Sequence, residues 1–355
     1  MSANHVIAKT WQHNILFSAL IELTYRCNLD CFFCYNDLAL KGKPLSDEQY
    51  GALFDDLARM QVMNLTFTGG EPLAHPSFVH LGRMARDLGF VVRIKSNGHA
   101  LRGKLAEEIR EEVDPFLVEV SLHGATADTH DRQTRVPGSF DRLMSNVPEL
   151  LGMGYRIKFN GTLTRFNEHQ IEGMFEVADR LGVILSLSPT VTPRDDGDTS
   201  PLAISPSKAA IKELYAYLDR RIPDGPSGGT CTGESGAPGP SGKKNCGAGA
   251  AGLAVDPFGH VYPCVQWRRP LGNLHDQPIE EIWESSPALA EIRRVNHEAR
   301  ARIEQLGTDG EGLSHCMGIS EEKTGDPLAV DPQAAEQARL LREVRSERPL
   351  LPVIS

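Results

Sequence analysis

The sequence has no apolar run that approaches the roughly 20 residues of a membrane-spanning helix. Met1–Thr10 has no charged-then-apolar leader, so no secretory signal is expected. Basic residues are scarce relative to acidic ones. Lys+Arg total 37 against 47 Asp+Glu, a formal net charge of -10. Such a chain is a poor match for a nucleic-acid backbone or an anionic membrane surface, where affinity comes from clustered Lys and Arg. No internal repeat is present. A soluble, cytoplasmic protein that binds neither nucleic acid nor membrane is the expectation. Its 355 residues suffice for one large domain or two modest ones, each with a proper core. Seven cysteines, an odd number, point to metal or redox chemistry rather than disulfides.

Up to about residue 222 the chain alternates short β-rich runs with amphipathic stretches. Strands are predicted at 15–23, 64–67, 91–95, 116–121, 156–164 and 183–187. Helices are predicted from Ser46, with Gln49 completing a capping box, and over 77–88, 168–181 and 207–218. Phe140, Leu143, Met144, Val147 and Leu151 recur on one helical face. Six β/α units in series imply a parallel sheet with outer helices, a partial β/α barrel whose site lies at the C-terminal strand ends. Residues 223–251 are rich in Gly, Pro and Ser and read as an irregular loop. Lys243 and Lys244 in it read as solvated. Beyond it, 252–255 and 260–262 flank Asp256-Pro257-Phe258-Gly259 as a hairpin, and helices are expected over 279–306 and 332–344. Three parts follow: 1–222, 223–330, and a C-terminal helix and tail at 331–355.

The strongest chemical signal is Cys27-Asn-Leu-Asp-Cys31-Phe-Phe33-Cys34, directly after the first strand. Thiolates are soft ligands for zinc or iron–sulfur clusters. Three local thiols can hold three irons of a four-iron cluster and leave one iron open. A zinc site closed by a distant fourth ligand, or three buried cysteines, are the other readings of the same residues. Gly69-Gly70-Glu71-Pro72 follows the second strand. Its glycines permit close backbone approach, and Glu71 is an acceptor for an ammonium; a solvated β-turn is the plainer reading. Ser96-Asn97-Gly98 ends the third strand and Ser121 the fourth, as hydroxyl-binding groups or as ordinary turn and capping residues.

Taken together, these motifs resemble the radical S-adenosylmethionine (SAM) enzymes over roughly residues 15–220. The resemblance implies a [4Fe-4S] cluster on Cys27, Cys31 and Cys34, with SAM chelated at the open iron. Glu71 or the neighbouring backbone would meet the methionine amino group. Phe33, Gly69, Gly70, Ser96, Asn97 and Ser121 would complete the SAM pocket. Where relatives carry an Arg after His130-Asp131, this chain has Thr134, so Arg132 or Arg135 would take over carboxylate recognition. Reductive cleavage would yield a 5′-deoxyadenosyl radical that takes a hydrogen atom from substrate, the hard chemistry belonging to the cofactor.

Cys231, Cys246, Cys264 and Cys316 are the remaining four cysteines. They resemble the SPASM/Twitch auxiliary-cluster module, and their number fits the short Twitch form with one auxiliary [4Fe-4S] cluster. Zinc on four cysteines and free thiols are the alternatives. His123 sits at a strand end facing the presumed site, with His75, His80 and His99 near the same rim; surface or satisfied core roles are the expectation for all four. Tyr35 and Asn36 are placed near the adenine.

The resemblance implies a peptide substrate that is oxidatively cross-linked, thioether-bridged or dehydrogenated. Small-molecule or tetrapyrrole oxidation is the alternative, and a redox sensor without turnover is the alternative of another class. An electron donor such as flavodoxin or ferredoxin is implied. With no leader-binding domain before Ile15, a separate leader-peptide-binding protein is expected. The ending Pro352-Val353-Ile354-Ser355 lacks the Gly-Gly of a molybdenum-cofactor-type cyclase.

Overall fold

The computed structural model describes residues 3–221 and 244–347, with side chains from residue 7 onward. Cys231, Lys243 and most of the 223–251 loop lie outside the described residues.

After helix α1 (Ala3–His13), strands and helices alternate: β1 (Ser18–Thr24), α2 (Asp47–Arg59), β2 (Asn64–Gly69), α3 (Phe78–Asp87), β3 (Val91–Ser96), α4 (Gly103–Glu112), β4 (Leu117–Ser121), α5 (Ala127–Thr134), α6 (Ser139–Gly152), β5 (Ile157–Thr162), α7 (Ile171–Leu181), β6 (Ile184–Ser188) and α8 (Lys208–Arg221). The second part supplies β7 (Gly252–Val255), β8 (His260–Tyr262), β9 (Gly272–Asn273), α9 (Ile279–Ser285), α10 (Pro287–Gln305), α11 (Met317–Thr324) and α12 (Pro332–Ser346). Ser46 and Gln49 form the expected capping box of α2.

The nine strands among the described residues belong to one sheet in the order β6-β5-β4-β3-β2-β1-β7-β8-β9. Every pairing from β6 across to β7 is parallel, and β7-β8-β9 is antiparallel. Among the described residues the ends β6 and β9 do not pair, so the barrel is partial, as predicted. The predicted hairpin therefore extends the barrel sheet, with Ser18–Ile21 paired to Gly252–Val255. Buried Asp256 fixes the hairpin turn by accepting from the Phe258 and His260 amides, both at 2.9 Å.

Period-two alternation sorts the side chains of the parallel strands. In β3, Val92 and Ile94 are buried, while Arg93 and Lys95 are only partly covered. The helix-facing residues merge into one core that includes Phe54, Leu65, Phe67, Leu81, Ile94, Val118, Val120 and Phe159. Edge-to-face ring pairs Phe54–Phe67 and Phe67–Phe78 join α2, β2 and α3. Against the outer face, α12 packs on α8 through Ile211, Tyr215, Leu340, Leu341 and Val344.

Candidate active site

The C-terminal ends of β1–β6 open onto one cavity of about 320 Å³. Cys27, Cys31, Phe33 and Cys34 line it from the loop after β1. Gly69 and Gly70 contribute from β2 and the turn after it, Ser96 and Asn97 from the end of β3, and Ser121 and His123 from the end of β4. Tyr35 and Asn36 line it too. From the second part come Val265, Gln266, Ser314 and Cys316, and from the N-terminal end of α12 Gln333 and Gln337.

Neighbouring backbone holds the first cysteine loop. The Asp30 and Phe32 amides donate to the Thr134 and Gln133 carbonyls at the end of α5, at 3.1 and 3.2 Å. Asn97 donates to Asn28 Oδ1 at 2.7 Å and approaches Cys27 Sγ at 3.9 Å. Fully buried Gln133 in turn donates to the His123 carbonyl at 2.9 Å, locking α5 to the end of β4.

Burial raises the pKa of all three thiols, most strongly Cys31, which Cys34 and Cys27 push up further. Three such neighbours become thiolates together only beside compensating positive charge, which an iron–sulfur cluster supplies. Among the described residues, no three His, Cys, Asp or Glu are grouped to hold a single metal ion. The buried Nδ1 of His123 has no protein partner and belongs to a ring that lines the cavity. That ring meets Phe33 edge-on at 4.6 Å. Soft donors beside an orphaned hydrogen-bonding atom fit a cluster with a polar organic ligand against it.

Of Glu71 and its neighbouring backbone, the backbone is the part that borders the cavity. The Glu71 side chain is almost fully buried and is not among the cavity-lining residues. One carboxylate oxygen accepts from the Leu73 amide at 3.1 Å and Ser96 Oγ at 2.8 Å; the other accepts from the Asn97 amide at 2.8 Å. Burial pushes its pKa up to about 6 against these donors. Glu71 thus ties the turn after β2 to the end of β3 and leaves the backbone of Gly69 and Gly70 to face the cavity. The glycines have their own steric reason. A Cβ on Gly69 (φ +132) would sit 2.3 Å from the Thr24 carbonyl oxygen, and one on Gly70 2.6 Å from that of Arg26. Arg135 also lies apart from the cavity lining: it is half-exposed, left-handed, and pairs with Asp30 at 3.2 Å. Arg132 stacks on the Phe166 ring, 3.9 Å from its centroid.

Cys246, Cys264 and Cys316 come together, each within electrostatic reach of the others. Burial, then neighbouring thiols, push Cys246 up to about 12 and Cys264 up to about 11. Buried Asn296 on α10 pins the Cys246 segment. It accepts from the Asn245 and Cys246 amides at 2.7 and 3.1 Å and donates to the Cys246 and Ala248 carbonyls. Lys244 corrects the expectation of a solvated loop. Its ammonium is buried, donates to the Trp11 carbonyl at 2.6 Å and reaches Asn14 Oδ1. The orphan carbonyls at the end of α1 draw it inward.

A charged latch joins the two parts. Arg268 grips Glu22 on β1 with both terminal nitrogens, at 2.7 and 2.9 Å, and donates through Nε to Asp195 at 2.9 Å. Asp195 also donates its amide to the Tyr35 carbonyl, one residue beyond Cys34. Sequence reading missed Arg268, Glu22, Asp195, Asn296 and Gln133, whose partners lie far along the chain. Glu22 carried a local signal, a lone charge inside an apolar strand.

A partial barrel whose cavity is bordered by Cys27, Cys31, Cys34 and Cys316 defines a β/α protein with soft metal-ligand side chains at the C-terminal strand ends. The profile of the radical SAM superfamily matches residues 21–178, and that of the SPASM iron-sulfur cluster-binding domain matches residues 246–305. The chain is 30% identical over 328 residues to the PqqA peptide cyclase of Ruegeria pomeroyi, covering 88% of this chain and 85% of that protein. It is 32% identical over 346 residues to the mycofactocin maturase MftC of Mycobacterium tuberculosis, covering 92% and 86%. Among solved structures, anSMEcpe with bound AdoMet shares the fold at TM-score 0.69 and 16% identity, covering 94% of this chain and 100% of that one. This chain belongs to the radical SAM superfamily and carries a SPASM domain. Those two domains imply [4Fe-4S] clusters and SAM as its cofactors.

Proposed function

We propose that this enzyme oxidatively modifies a peptide, with Cys27, Cys31 and Cys34 as ligands of the SAM-binding cluster and Cys246, Cys264 and Cys316 as auxiliary ligands. When bound, the cluster and SAM supply a 5′-deoxyadenosyl radical that removes a hydrogen atom from substrate. The protein's own groups do the rest. The Gly69–Gly70 backbone faces the site, Glu71 positions Ser96 and Asn97, and Phe33 and His123 form an apolar and a polar wall. Arg268 holds the auxiliary part against the barrel. Residues from α12 and the segment around Cys316 narrow the access of water.

One observation carries the reading: a single cavity is bordered both by the first cysteine triad and by Cys316 of the second set. A substrate in that space is within reach of both, which suits oxidation with a second electron acceptor at hand. Similarity to the PqqA peptide cyclase and to MftC supports a peptide as substrate. The reading includes a cytoplasmic setting, a flavodoxin- or ferredoxin-type electron donor and a separate leader-peptide-binding protein; Arg135 keeps only the part of steadying the Asp30 turn.

The test is anaerobic reconstitution followed by reduction with SAM and candidate precursor peptides encoded beside the gene. About eight irons per chain are expected for two four-iron clusters, together with 5′-deoxyadenosine and a peptide that has lost hydrogen atoms. A metallated protein that releases no 5′-deoxyadenosine sinks the reading. Release coupled to tetrapyrrole oxidation, with every peptide unchanged, replaces the substrate class.

A further inference from the structure

One edge of the sheet is left open. β6 ends the strand order, and among the described residues no strand pairs with its outer side. The register fixes which backbone groups lie on that side. Lys158–Thr162 pair residue by residue with Ile184–Ser188. The Ser188 carbonyl accepts from the Leu163 amide at 2.7 Å, so Ser188 turns its backbone groups toward β5. Alternation gives Ser186 and Ile184 the same direction and turns the N–H and C=O of Leu185 and Leu187 outward. Among the described residues no backbone or side-chain group hydrogen-bonds to these four groups. Natural sheets blunt such an edge with charge, proline or a bulge. Ile184-Leu185-Ser186-Leu187-Ser188 has no charge and no proline, and its register runs without a bulge. The Leu185 and Leu187 side chains belong to the core, so the strand is firmly seated, while Ile184 at its head is 72% exposed.

We propose that this edge receives the substrate peptide as an added strand; the proposal rests on the peptide-modifying reading above. A row of main-chain donors and acceptors is matched by another extended main chain, whatever its side chains. The edge also runs straight into the cavity: Ser188 at its end, then Thr190, Val191 and Thr192, line it. Paired residues on neighbouring strands send their side chains to the same face. Leu185 and Leu187 enter the core, so Ser186 and Ser188 face the lumen. The substrate residue beside Ser188 therefore points into the lumen at the level of the strand ends, toward the space that Cys27, Cys31, Cys34 and Cys316 border. Main-chain pairing sets where that residue stands, and the cavity selects its side chain.

The experiment uses reconstituted holoenzyme and two defined probes: an acetylated, amidated hexapeptide of alternating threonine and alanine, and the same peptide N-methylated at every residue. Binding is read by calorimetry. Exchange of the Leu185 and Leu187 amides is read by hydrogen-exchange mass spectrometry with residue-level fragmentation. Without peptide these two amides are expected to exchange rapidly, having no partner. The plain hexapeptide should slow them and bind about tenfold or more tighter than its methylated form, which cannot donate. Leu185→Pro removes one outward donor and spares the ladder donors of Ile184, Ser186 and Ser188. It should weaken hexapeptide binding about fivefold or more. Equal binding of the two peptides, or binding of neither, overturns the proposal. Slow exchange of both amides in the peptide-free protein overturns it too, because another segment or a second copy would then hold the edge; size-exclusion chromatography tells those two apart. Undiminished binding by a folded Leu185→Pro protein also overturns it. If that variant does not fold, the exchange measurement on wild type decides alone. Wild-type enzyme that cleaves no SAM instead removes the underlying functional reading, whatever the hexapeptide does.

Discussion

Single side chains here act mainly by holding backbone in place. Glu71 accepts three hydrogen bonds from Leu73, Ser96 and Asn97 while buried. Glu71→Gln turns one acceptor oxygen into a donor facing a donor. The expected loss is about 1–3 kcal/mol of stability, with weaker SAM binding and an unchanged iron count, checked by denaturant unfolding and calorimetry. Asp195 behaves differently. Burial pushes it up to about 7, although Arg268 opposes the shift. With the folded pKa above the unfolded one, its stabilising contribution is complete below the unfolded value and disappears as pH rises through about 7. Asp195→Asn should therefore flatten the fall in thermal stability between pH about 4 and about 7. Parallel curves for the two proteins would refute this. The Cys27–Cys34 run and Gly69-Gly70-Glu71 were legible because their meaning is local spacing. The role of Glu71 was not, since Ser96 and Asn97 become its partners only once β2 and β3 pair.

Elements were legible in proportion to their periodicity. The six barrel strands and the hairpin stand where alternation put them. Missed were α1 and α4 (whose Ala106, Ile109 and Val113 do recur on one face) and α5, a polar helix whose His130, Gln133 and Thr134 are buried by contacts with the cysteine loop and β4. Propensity could not reveal α5, because tertiary hydrogen bonds hold it. A second case is α11, which is N-capped by Cys316 and packs so tightly that a Cβ on Gly318 would lie 2.0 Å from the Gln266 carbonyl oxygen. Gly318→Ala should force α11 off this seat and displace Cys316. Iron analysis is expected to fall from about eight to about four per chain, with the SAM-binding cluster retained. A full iron complement would show that the segment adapts.

At the scale of the whole molecule, the boundary expected near residue 222 separates sequence more than structure. Its first strand is bordered by β2 on one side and by β7 on the other. A chain cut to residues 1–222 would bare the Ser18–Ile21 edge and the apolar surface that Leu253 and Val255 cover. An uncovered parallel edge invites association with other chains. The truncated protein is expected to aggregate, read as loss of the monomer peak in size-exclusion chromatography; a stable monomer would mean that the barrel closes without its extension. This feature escaped the sequence because a four-residue run such as Gly252–Val255 carries no mark of its distant neighbour.

The shared ladder also works as a ruler. Since β1 leads into the first thiol loop while its neighbour β7 is hairpinned to the strand that leads into Cys264, the gap between the two cysteine sets proposed as cluster ligands is set by a register of peptide groups. Electron tunnelling falls off steeply with separation, so slipping that register would retune the exchange between centres without touching a single ligand.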